Sequence, residues 1–531
     1  MQEQQRMMKG LAFVSIAALI AKVLSAIYRV PFQNLAGDVG FYVYQQIYPL
    51  YGIAMVLSMY GLPVALSRKR VELLELGRKQ EARQLTALFF YSLLLMVVLV
   101  WLFIYFKAGT IATIMGDEQL KEPLQAMSFI LFVIPFLSVG RGYAQSEGEL
   151  ISTAVSHIGE QLIRVSVIIG VTIYFVYYGF DAYQIGAGAA YGSWIGAGCG
   201  VFLLLIMTRG HWFKQVWIFQ LHSTSFKQLL PTCLSLVKHS FYICISVLVL
   251  ILFQLVDALT IIRLLESSGM DSLTAYIEKA VYDRGQPLIQ VGAVLTTTFT
   301  LALVPMMTRA VTAGKLKEAK RHQQTAFRLT FLIAGAATVG LFIIMNETNH
   351  MLFTDEKGSD VLRVLALVIL LQSLFVTMSA IYQGYSFLHL PFIAVLVGLA
   401  IKVAGQFLFV THFGVMGAAW STVIGFVCMF VYLMYNGYKK GILSFGRIRS
   451  YCTILIVLIG LAVSSLAFKQ WLNLFIQESN RLYDTLIAVS TSVVGMVVVM
   501  VTISLLPVFS KSEWGMVPVL NKVRTIVMKR R

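Results

Sequence analysis

Long runs of apolar residues, separated by short polar stretches, follow one another along the chain. A helix that spans a bilayer needs about 20 predominantly apolar residues, and fourteen stretches reach approximately that length. The pattern therefore predicts an all-α polytopic membrane protein with 14 transmembrane helices. We number these stretches segments 1 to 14, and they cover residues 10–30, 41–66, 85–107, 124–144, 152–178, 184–208, 232–263, 284–308, 327–346, 361–386, 391–411, 414–437, 451–469 and 483–508.

The composition agrees with a membrane protein. Of the 531 residues, 58% are hydrophobic and only 13% are charged, whereas soluble proteins contain about 25% charged residues. The formal charge of +17 would suit a nucleic-acid-binding protein, but such a domain places its basic residues on a polar scaffold. The sequence offers no polar scaffold, so we expect the lipid bilayer, and not nucleic acid, as the surrounding partner.

Lysine and arginine are distributed unevenly between the two sides of the predicted membrane. With a cytoplasmic N-terminus, the cytoplasmic loops and tails contain 28 of the 42 Lys and Arg residues, the outer loops contain nine, and five lie inside segments. Because Lys and Arg are retained on the cytoplasmic side, we expect a plasma-membrane protein with both termini in the cytoplasm. Segment 1 contains Lys22 and Arg29, which are atypical of a cleavable signal, so we expect it to be retained.

The two halves of the chain share short motifs at nearly constant spacing. Ser67-Arg68 recurs as Thr308-Arg309, and Arg164 has a counterpart in Lys402 at a similar offset. Repeats of this kind are common in transporters, and here they predict two pseudo-symmetric six-helix lobes followed by a C-terminal helix pair. The predicted domains are an N-lobe at 1–208, a cytoplasmic linker at 209–230, a C-lobe at 231–440, and segments 13 and 14 with a basic cytoplasmic tail at 441–531.

Five cations lie inside apolar segments, where each costs about 2.5–3.5 kcal/mol at the bilayer centre if it faces lipid. They must therefore face protein, water or an anion. The five are Lys22, Arg29, Arg164, Lys238 and Lys402.

Segment 1 places Lys22, Ser25 and Arg29 on one helical face. This stripe either lines a cavity that binds an anionic headgroup, or it is structural. In the structural alternative, Arg29 reaches the outer interface and Lys22 pairs with a neighbouring acid.

Segments 5 and 11 carry the repeat-related cations. Glu160 precedes Arg164 by four residues, which is the favourable order for an ion pair within a helix. We therefore expect a structural Glu160–Arg164 pair. Lys402 has Gln406 one turn on and no acid nearby, so local pairing does not explain it.

The remaining candidates lie in segment 7, in segment 2 and at the start of segment 8, where Arg284 is the first residue. Asp257 in segment 7 either binds a coupling Na⁺ or H⁺, or neutralises Arg29 or Arg284. Lys238 lies near the cytoplasmic end of the same segment. Segment 2 begins with a face of tyrosine and glutamine, including Gln45 and Tyr48, which suits either sugar hydroxyls or the ordinary interfacial aromatic belt.

Known catalytic motifs are absent from the sequence: it has no Walker A motif, no GxSxG and no HExxH. The five cysteines show no CxxC spacing, and the histidines do not cluster. We therefore expect neither an enzyme nor a metal or cofactor site. Transport would use an Na⁺ or H⁺ gradient, the membrane potential, or the gradient of the substrate itself.

Several stretches resemble a known family. They are Lys22-Val23-Leu24-Ser25, Tyr28-Arg29-Val30-Pro31-Phe32, Gly61-Leu62-Pro63, Tyr382-Gln383-Gly384 and Gly417-Ala418-Ala419-Trp420. The chain resembles the polysaccharide biosynthesis flippases of the multidrug/oligosaccharidyl-lipid/polysaccharide (MOP) exporter superfamily. Within that superfamily it is most similar to the lipid II flippases and their sporulation-associated relatives, which also have 14 helices.

The resemblance implies two lobes around a central cavity lined by segments 1, 2, 7 and 8. It implies that the protein moves a polyprenyl-diphosphate-linked sugar to the outer leaflet, with cell-envelope biosynthesis enzymes as further partners. The implied diphosphate ligands are Lys22, Arg29, Arg284 and Lys238, and the implied glycan or cavity residues are Ser25, Gln45, Tyr48 and Gln286.

Segment 2 departs from the family pattern, because it offers tyrosine and glutamine, and no arginine, before Arg68. The substrate is therefore either lipid II or another polyprenyl-diphosphate glycan. Two alternatives are a cation-coupled multidrug exporter of the same superfamily and, less favoured, a membrane glycan polymerase or ligase.

Overall fold

The protein is described by a computed structural model that covers residues 19–217, 223–475, 480–506 and 508. Helices account for most of these residues, and no strand occurs among them. The all-α prediction is therefore confirmed. The first 18 residues, positions 218–222 of the predicted linker and the basic tail after residue 508 lie outside the described residues.

The helices are defined as follows. They are α1 (19–27), α2 (Arg29–Val56), α3 (Leu62–Glu75), α4 (Lys79–Phe106), α5 (Ala108–Met115), α6 (Lys121–Ser128), α7 (Val133–Ser146), α8 (Leu150–Tyr177), α9 (Ala182–Met207), α10 (His211–Trp217), α11 (Ser223–Ser267), α12 (Ser272–Asp283), α13 (Gly285–Gly292), α14 (Val294–Thr312), α15 (Leu316–Ile343), α16 (Met345–Phe353), α17 (Ser359–Gly384), α18 (His389–Lys439), α19 (Ile448–Phe475) and α20 (Arg481–Leu505).

The helices form two compact units. The first contains the chain up to Asp283 together with Gln406–His412, and the second contains Arg284–Gly405 and the chain from Phe413 onward. Helices α11 and α12 therefore belong to the first unit, although the predicted lobe boundary lies earlier, at 209–230. The two six-helix lobes are inferred from sequence repeats and not from contacts between helices. They therefore stay a prediction.

The helices that the structure describes are compatible with the predicted topology, although they do not establish the count of 14. Among the described residues, eleven helical segments are long and apolar enough to cross a membrane. Two of them, Leu19–Glu75 with 57 residues and His389–Lys439 with 51 residues, would extend about 85 and 77 Å at 1.5 Å per residue. Each is long enough for two crossings of a core about 30 Å thick, and α13 with α14 covers predicted segment 8. Fourteen crossings are compatible with this architecture.

Glycines bend the two longest helical segments. Gly37 has φ +69° within α2, and Gly414 has φ +57° within α18. These left-handed conformations are rare for residues with a side chain. Gly37 lies between predicted segments 1 and 2, and Gly414 lies at the start of segment 12, so each bend falls where one crossing would end and the next begin.

A run of glycines lets α8 and α9 pack closely in the first unit. Gly192, Gly196 and Gly200 recur every four residues, so they share one face of α9. A Cβ atom at Gly196 would lie 2.6 Å from Arg164 Cβ and 2.7 Å from the Glu160 carbonyl oxygen. Small residues at this spacing allow two helix backbones to approach each other. This contact fixes the position of α8, which carries Glu160 and Arg164.

The second unit has its own apolar core. Helices α14, α15 and α17 pack together, and the C-terminal pair α19 and α20 packs on α15. The core between α15 and this pair contains buried aliphatic side chains. They are Leu329, Leu332, Ile454, Val457, Leu458 and Ile503.

Candidate functional site

The first unit contains a buried arginine that forms no salt bridge with a described residue and is surrounded by tyrosines. Arg29 begins α2, and its side chain is fully buried, with 0% exposure. Its guanidinium carbon lies 4.2 Å from the centroid of the Tyr48 ring. None of its three nitrogens makes a hydrogen bond with any residue that the structure describes. The structural alternative in which Arg29 reaches the outer interface is therefore wrong.

Tyrosines surround this arginine. Tyr44, Tyr48 and Tyr51 lie at helical spacing on one face of α2, with adjacent ring centroids 5.7–6.1 Å apart. The Tyr28 and Tyr44 hydroxyl oxygens lie 2.8 Å apart and share a hydrogen bond. All four tyrosines are buried. This face therefore points into the protein and does not form an interfacial belt.

A second arginine shares the tyrosines. The guanidinium carbon of Arg164 on α8 lies 4.2 Å from the Tyr51 ring centroid and 4.8 Å from that of Tyr28. Its Nη2 donates to Ser25 Oγ at 3.0 Å, while Nε and Nη1 make no hydrogen bond with a described residue. We call Arg29, Arg164 and the four tyrosines the cationic cluster.

The expected Glu160–Arg164 ion pair is wrong. Glu160 Oε2 instead accepts a hydrogen bond from Arg141 Nη2 on α7 at 2.7 Å, and both side chains are buried. Arg141 also donates to Ser156 Oγ at 3.1 Å, and His157 Nδ1 lies 3.7 Å from the same Glu160 oxygen. The carboxylate therefore neutralises Arg141, and Arg164 is directed to Ser25 and the tyrosines.

The charge distribution predicts Arg141 among the cytoplasmic loop cations, because this residue lies near the cytoplasmic end of segment 4. Its position inside predicted segment 124–144 is the signal that places it among the buried cations. Arg70 was counted with the loops in the same way, but it is also buried, with Nη2 2.8 Å from Glu147 Oε1 and Nη1 2.5 Å from Thr86 Oγ1. Both arginines have acceptors, so both are structural.

Charge distinguishes the cationic cluster from these neutralised pairs. Among the described residues, neither Arg29 nor Arg164 forms a salt bridge. A buried charge without a partner is strongly destabilising, by about 3–5 kcal/mol where one member of a pair is lost. A guanidinium presents up to five donors in a fork that matches phosphate oxygens, so the two arginines have the chemistry to bind an anion.

The other predicted ligands of the first unit lie in different surroundings. Lys22 is partly exposed on α1, and Gln45 is buried in α2, where its Oε1 accepts no hydrogen bond from a described residue. Lys238 is exposed on α11 close to Ser240, which packs against Gly61. Gly61 is ten residues beyond Tyr51, the cluster residue nearest to it in sequence, which corresponds to about 15 Å along a helix axis. The structure does not bring Lys238 to this cluster.

Asp257 on α11 is buried and accepts two hydrogen bonds. Its Oδ2 accepts from the Tyr282 hydroxyl at 3.0 Å, and its Oδ1 accepts from Gln406 Nε2 at 2.6 Å. On α12 beside Tyr282, Lys279 Nζ pairs with Asp283 Oδ2 at 2.5 Å. Asp257 is thus a carboxylate in a polar pocket of the first unit, and its predicted role in ion coupling stays a prediction.

The second unit contains Arg284, Gln286 and Lys402. Arg284 Nη1 and Nη2 donate to the two oxygens of Asp355 at 2.6 and 3.0 Å. Burial would raise the pKa of Asp355, but the hydrogen bonds and charge of Arg284 outweigh it and hold that pKa below its usual value. The arginine fork predicted for the substrate is therefore bound to a carboxylate. Gln286 is buried, and Lys402 Nζ donates to Thr422 Oγ1 at 2.7 Å.

Solved structures share this fold. An inward-closed lipid II flippase, MurJ, has a TM-score of 0.65 at 15% identity, covering 94% of this chain and 98% of its own. An inward-facing multidrug resistance transporter of the MOP superfamily has a TM-score of 0.64 at 16% identity, covering 81% of this chain and 98% of its own. The protein is a multi-pass membrane protein with the fold of the MOP-type flippases and exporters.

Sequence comparisons give the family. The model described as polysaccharide biosynthesis protein matches residues 7–311, and the chain belongs to this family. An uncharacterized membrane protein of Bacillus subtilis (strain 168), YabM, is 34% identical and covers 98% of this chain and 96% of its own. Stage V sporulation protein B of the same organism is 23% identical over 98% and 99% of the two chains. Its lipid II flippase MurJ is 22% identical over 92% and 93%. The predicted family resemblance is confirmed.

Proposed function

We propose that the protein is a flippase that moves a polyprenyl-diphosphate-linked sugar from the cytoplasmic to the outer leaflet of the plasma membrane. Arg29 carries this proposal, because its guanidinium is buried and makes no hydrogen bond with a described residue. A relative of nearly equal length is named as a lipid II flippase, which supports a substrate of this chemical class. Lipid II and other polyprenyl-diphosphate glycans share the diphosphate that the site would bind.

The cationic cluster suits a diphosphate for two reasons. Arg29 and Arg164 together provide two permanent positive charges, and five of their six guanidinium nitrogens make no hydrogen bond with a described residue. The diphosphate oxygens would accept from these donors. The tyrosine rings hold the guanidinium groups in place through cation–π contacts of about 1–2 kcal/mol each, so the forks are already oriented when the substrate arrives.

Both arginines are closed to solvent here. Substrate binding therefore requires a second conformation in which the cluster opens, and alternating access between an inward-open and an outward-open state supplies it. In this mechanism the glycan crosses with the cluster while the polyprenyl chain stays in lipid. The exposed apolar faces of α19 and α20 suit that chain, since Ile459, Val463, Val493 and Val497 are 48–62% exposed.

The energy source is part of the proposal. An inside-negative potential draws positive charge inward with about 2.3 kcal/mol per charge per 100 mV. It would therefore return an unloaded cationic cluster toward the cytoplasm. Asp257, held by Tyr282 and Gln406, is the candidate for an additional Na⁺ or H⁺. This scheme uses no bound cofactor, and the excess of Lys and Arg in the predicted cytoplasmic loops supports a cytoplasmic location for both termini. Cell-envelope biosynthesis enzymes would supply and consume the substrate.

A glycolipid translocation assay tests the proposal. The full chain, in vesicles with a labelled polyprenyl-diphosphate sugar, is compared with Arg29→Gln and with the control Lys107→Gln, which removes an exposed cation after α4 that is not a candidate ligand. We expect Arg29→Gln to reduce the rate at least about tenfold, because each lost charge-assisted contact is worth about 1.5–3 kcal/mol, and we expect the control to retain the rate.

Wild-type translocation by Arg29→Gln would refute the role of the cationic cluster. Complementation of a conditional lipid II flippase mutant then separates the substrates. Growth of the complemented strain identifies lipid II, whereas translocation in vesicles without complementation identifies another glycan with the same diphosphate.

A cation-coupled multidrug exporter is the second candidate, because a multidrug transporter shares the fold. An organic cation would need an available carboxylate. Glu160 beside the cluster is neutralised by Arg141, Asp257 accepts hydrogen bonds from Tyr282 and Gln406, and Asp283 pairs with Lys279. The two arginines would also repel such a substrate. Resistance to cationic drugs on expression, without glycolipid translocation, would favour this candidate.

A further inference from the structure

Three polar contacts join the short helix α16 to the C-terminal helix pair in the second unit. Glu347 pairs with Lys469 of α19 at 2.7 Å. His350 Nδ1 lies 2.5 Å from Asp484 Oδ2, in the first turn of α20. The Met351 carbonyl oxygen accepts from Arg481 Nε at 3.1 Å. The backbones that carry His350 and Asp484 are therefore held next to each other.

Glu356, three residues beyond the end of α16, brings a third ligand to this contact. One ligand atom each from His350, Glu356 and Asp484 all lie within 4.8 Å of one another. We propose that these three residues bind a divalent transition-metal ion of the zinc type. The site would take one imidazole nitrogen and two carboxylate oxygens, with water completing the coordination.

The donor set favours zinc over magnesium or calcium. Zinc accepts imidazole nitrogen at about 2.0–2.1 Å and carboxylate oxygen at about 2.0–2.2 Å, whereas the harder cations prefer oxygen ligands alone. Ligand atoms around a tetrahedral ion at these bond lengths lie roughly 3.3 Å apart. The His350–Asp484 contact would lengthen by about 1 Å on metal binding, and Glu356, whose side chain is exposed, is free to approach.

Neighbouring side chains already orient one of the ligands. Asn346 Nδ2 donates to Glu356 Oε2 at 3.0 Å, and Asn346 Oδ1 in turn accepts from Arg363 Nη2 at 2.7 Å. Hydrogen bonds of this type position ligands at metal sites and tune their affinity. Asn346 lies one turn before His350 on α16, so a single helix carries both a ligand and the residue that positions another.

Metal binding would join α16 to α20 by coordinate bonds. It would fix the C-terminal helix pair against α16, at the end of the second unit that the predicted topology places outside the cytoplasm. The sequence analysis expected no metal site because histidines do not cluster. His350 and Asp484 are 134 residues apart, so only the fold brings them together.

Zinc titration of the purified full-length protein tests the proposal. The protein is stripped with a chelator and then titrated with ZnCl₂ against a chromophoric competitor, and thermal unfolding is followed in parallel. We expect one equivalent of zinc to bind and raise the unfolding midpoint, and MgCl₂ to do neither. His350→Ala and Glu356→Gln should each weaken zinc binding more than about 100-fold, since even the loss of a residue that only hydrogen-bonds to a metal ligand weakens binding by about 10–100-fold.

His322→Ala is the matched control. His322 Nε2 lies 3.6 Å from Glu318 Oε1, and neither residue belongs to a group of three ligands within the described part of the chain. The control should leave zinc binding unchanged. Absence of zinc binding to the wild type, unchanged binding by Glu356→Gln, or equal loss in His322→Ala would each overturn the site. Glu356 is exposed, so its variant decides the question even if His350→Ala fails to fold.

Discussion

Replacing Arg29 with methionine should stabilise the substrate-free protein while abolishing translocation. Methionine keeps an unbranched apolar side chain of similar length and removes the charge. Each of the three guanidinium nitrogens without an acceptor costs about 1 kcal/mol or more. The cation–π contact with Tyr48 opposes this with about 2 kcal/mol. We therefore expect a net gain of about 1–3 kcal/mol for Arg29→Met.

Arg141→Met is the matched comparison. It removes an equally buried arginine, but one whose partner Glu160 is then left charged and unpaired. Loss of one member of a buried pair costs about 3–5 kcal/mol. The same chemical change should therefore have opposite effects on stability at the two positions, because Glu160 satisfies only one of the two arginines.

The assay is the unfolding midpoint of each purified variant in detergent, measured with and without inorganic pyrophosphate. At 100 times its dissociation constant, a ligand of the native state stabilises by about 2.7 kcal/mol, and only proteins that retain Arg29 should show this gain. If Arg29→Met were destabilised as much as Arg141→Met, or gained as much from pyrophosphate as the wild type, the assignment of Arg29 as an unsatisfied anion ligand would be wrong.

Three further predictions concern stability. Gly196→Ala should destabilise by about 1–3 kcal/mol, because its Cβ would lie within 2.7 Å of atoms of α8, whereas Gly198→Ala, with no atom within 4 Å, should be neutral in the same thermal unfolding assay. Glu160→Gln should destabilise by about 3–5 kcal/mol, and adding Arg141→Met should restore most of the loss in a double-mutant cycle. Asp355→Asn should lower stability at neutral pH, and this loss should shrink progressively as the pH falls below the unfolded pKa of about 3.9, because the pKa of Asp355 is depressed in the folded protein and its stabilisation disappears only as the pH falls through that lower value. Unfolding midpoints measured from pH 7 to pH 3 test this, and a constant difference between the proteins would contradict it.

Apolar run length was enough to predict the fold class, because a membrane-spanning helix satisfies its backbone within one segment. The tyrosine face that helical spacing predicts on segment 2 includes Tyr48, which is buried beside Arg29. Ion pairs between different segments could not be predicted from spacing along the chain. The four-residue spacing of Glu160 and Arg164 favours a local pair, yet Arg141 reaches Glu160 from α7. Such contacts depend on helix packing, which a single sequence does not specify.

The position of an arginine along the chain was also a poor guide to whether its side chain is buried. Arg70 and Arg141 lie near segment ends, where solvated arginines are common, but both are fully enclosed by side chains of other helices. Arg284 shows the converse. Its location near a predicted cavity suggested a substrate ligand. In the structure, however, its guanidinium donates to the carboxylate of Asp355, 71 residues away. Distinguishing a free cation from a neutralised one required the three-dimensional partners.

The turn between α2 and α3 has a consequence for experiments on the working protein. Residues Leu57–Gly61 form a π-helical turn. A Cβ at Gly61 would lie only 2.1 Å from Cys244 Sγ. The backbone of Gly61 therefore packs directly on the buried Cys244 thiol. Cys452 is exposed. The native chain thus contains a buried thiol, Cys244, and an exposed thiol, Cys452, that can serve as a reference for alkylation. The ratio of the alkylation rates of Cys244 and Cys452 would measure how often this turn opens, and no engineered cysteine is needed.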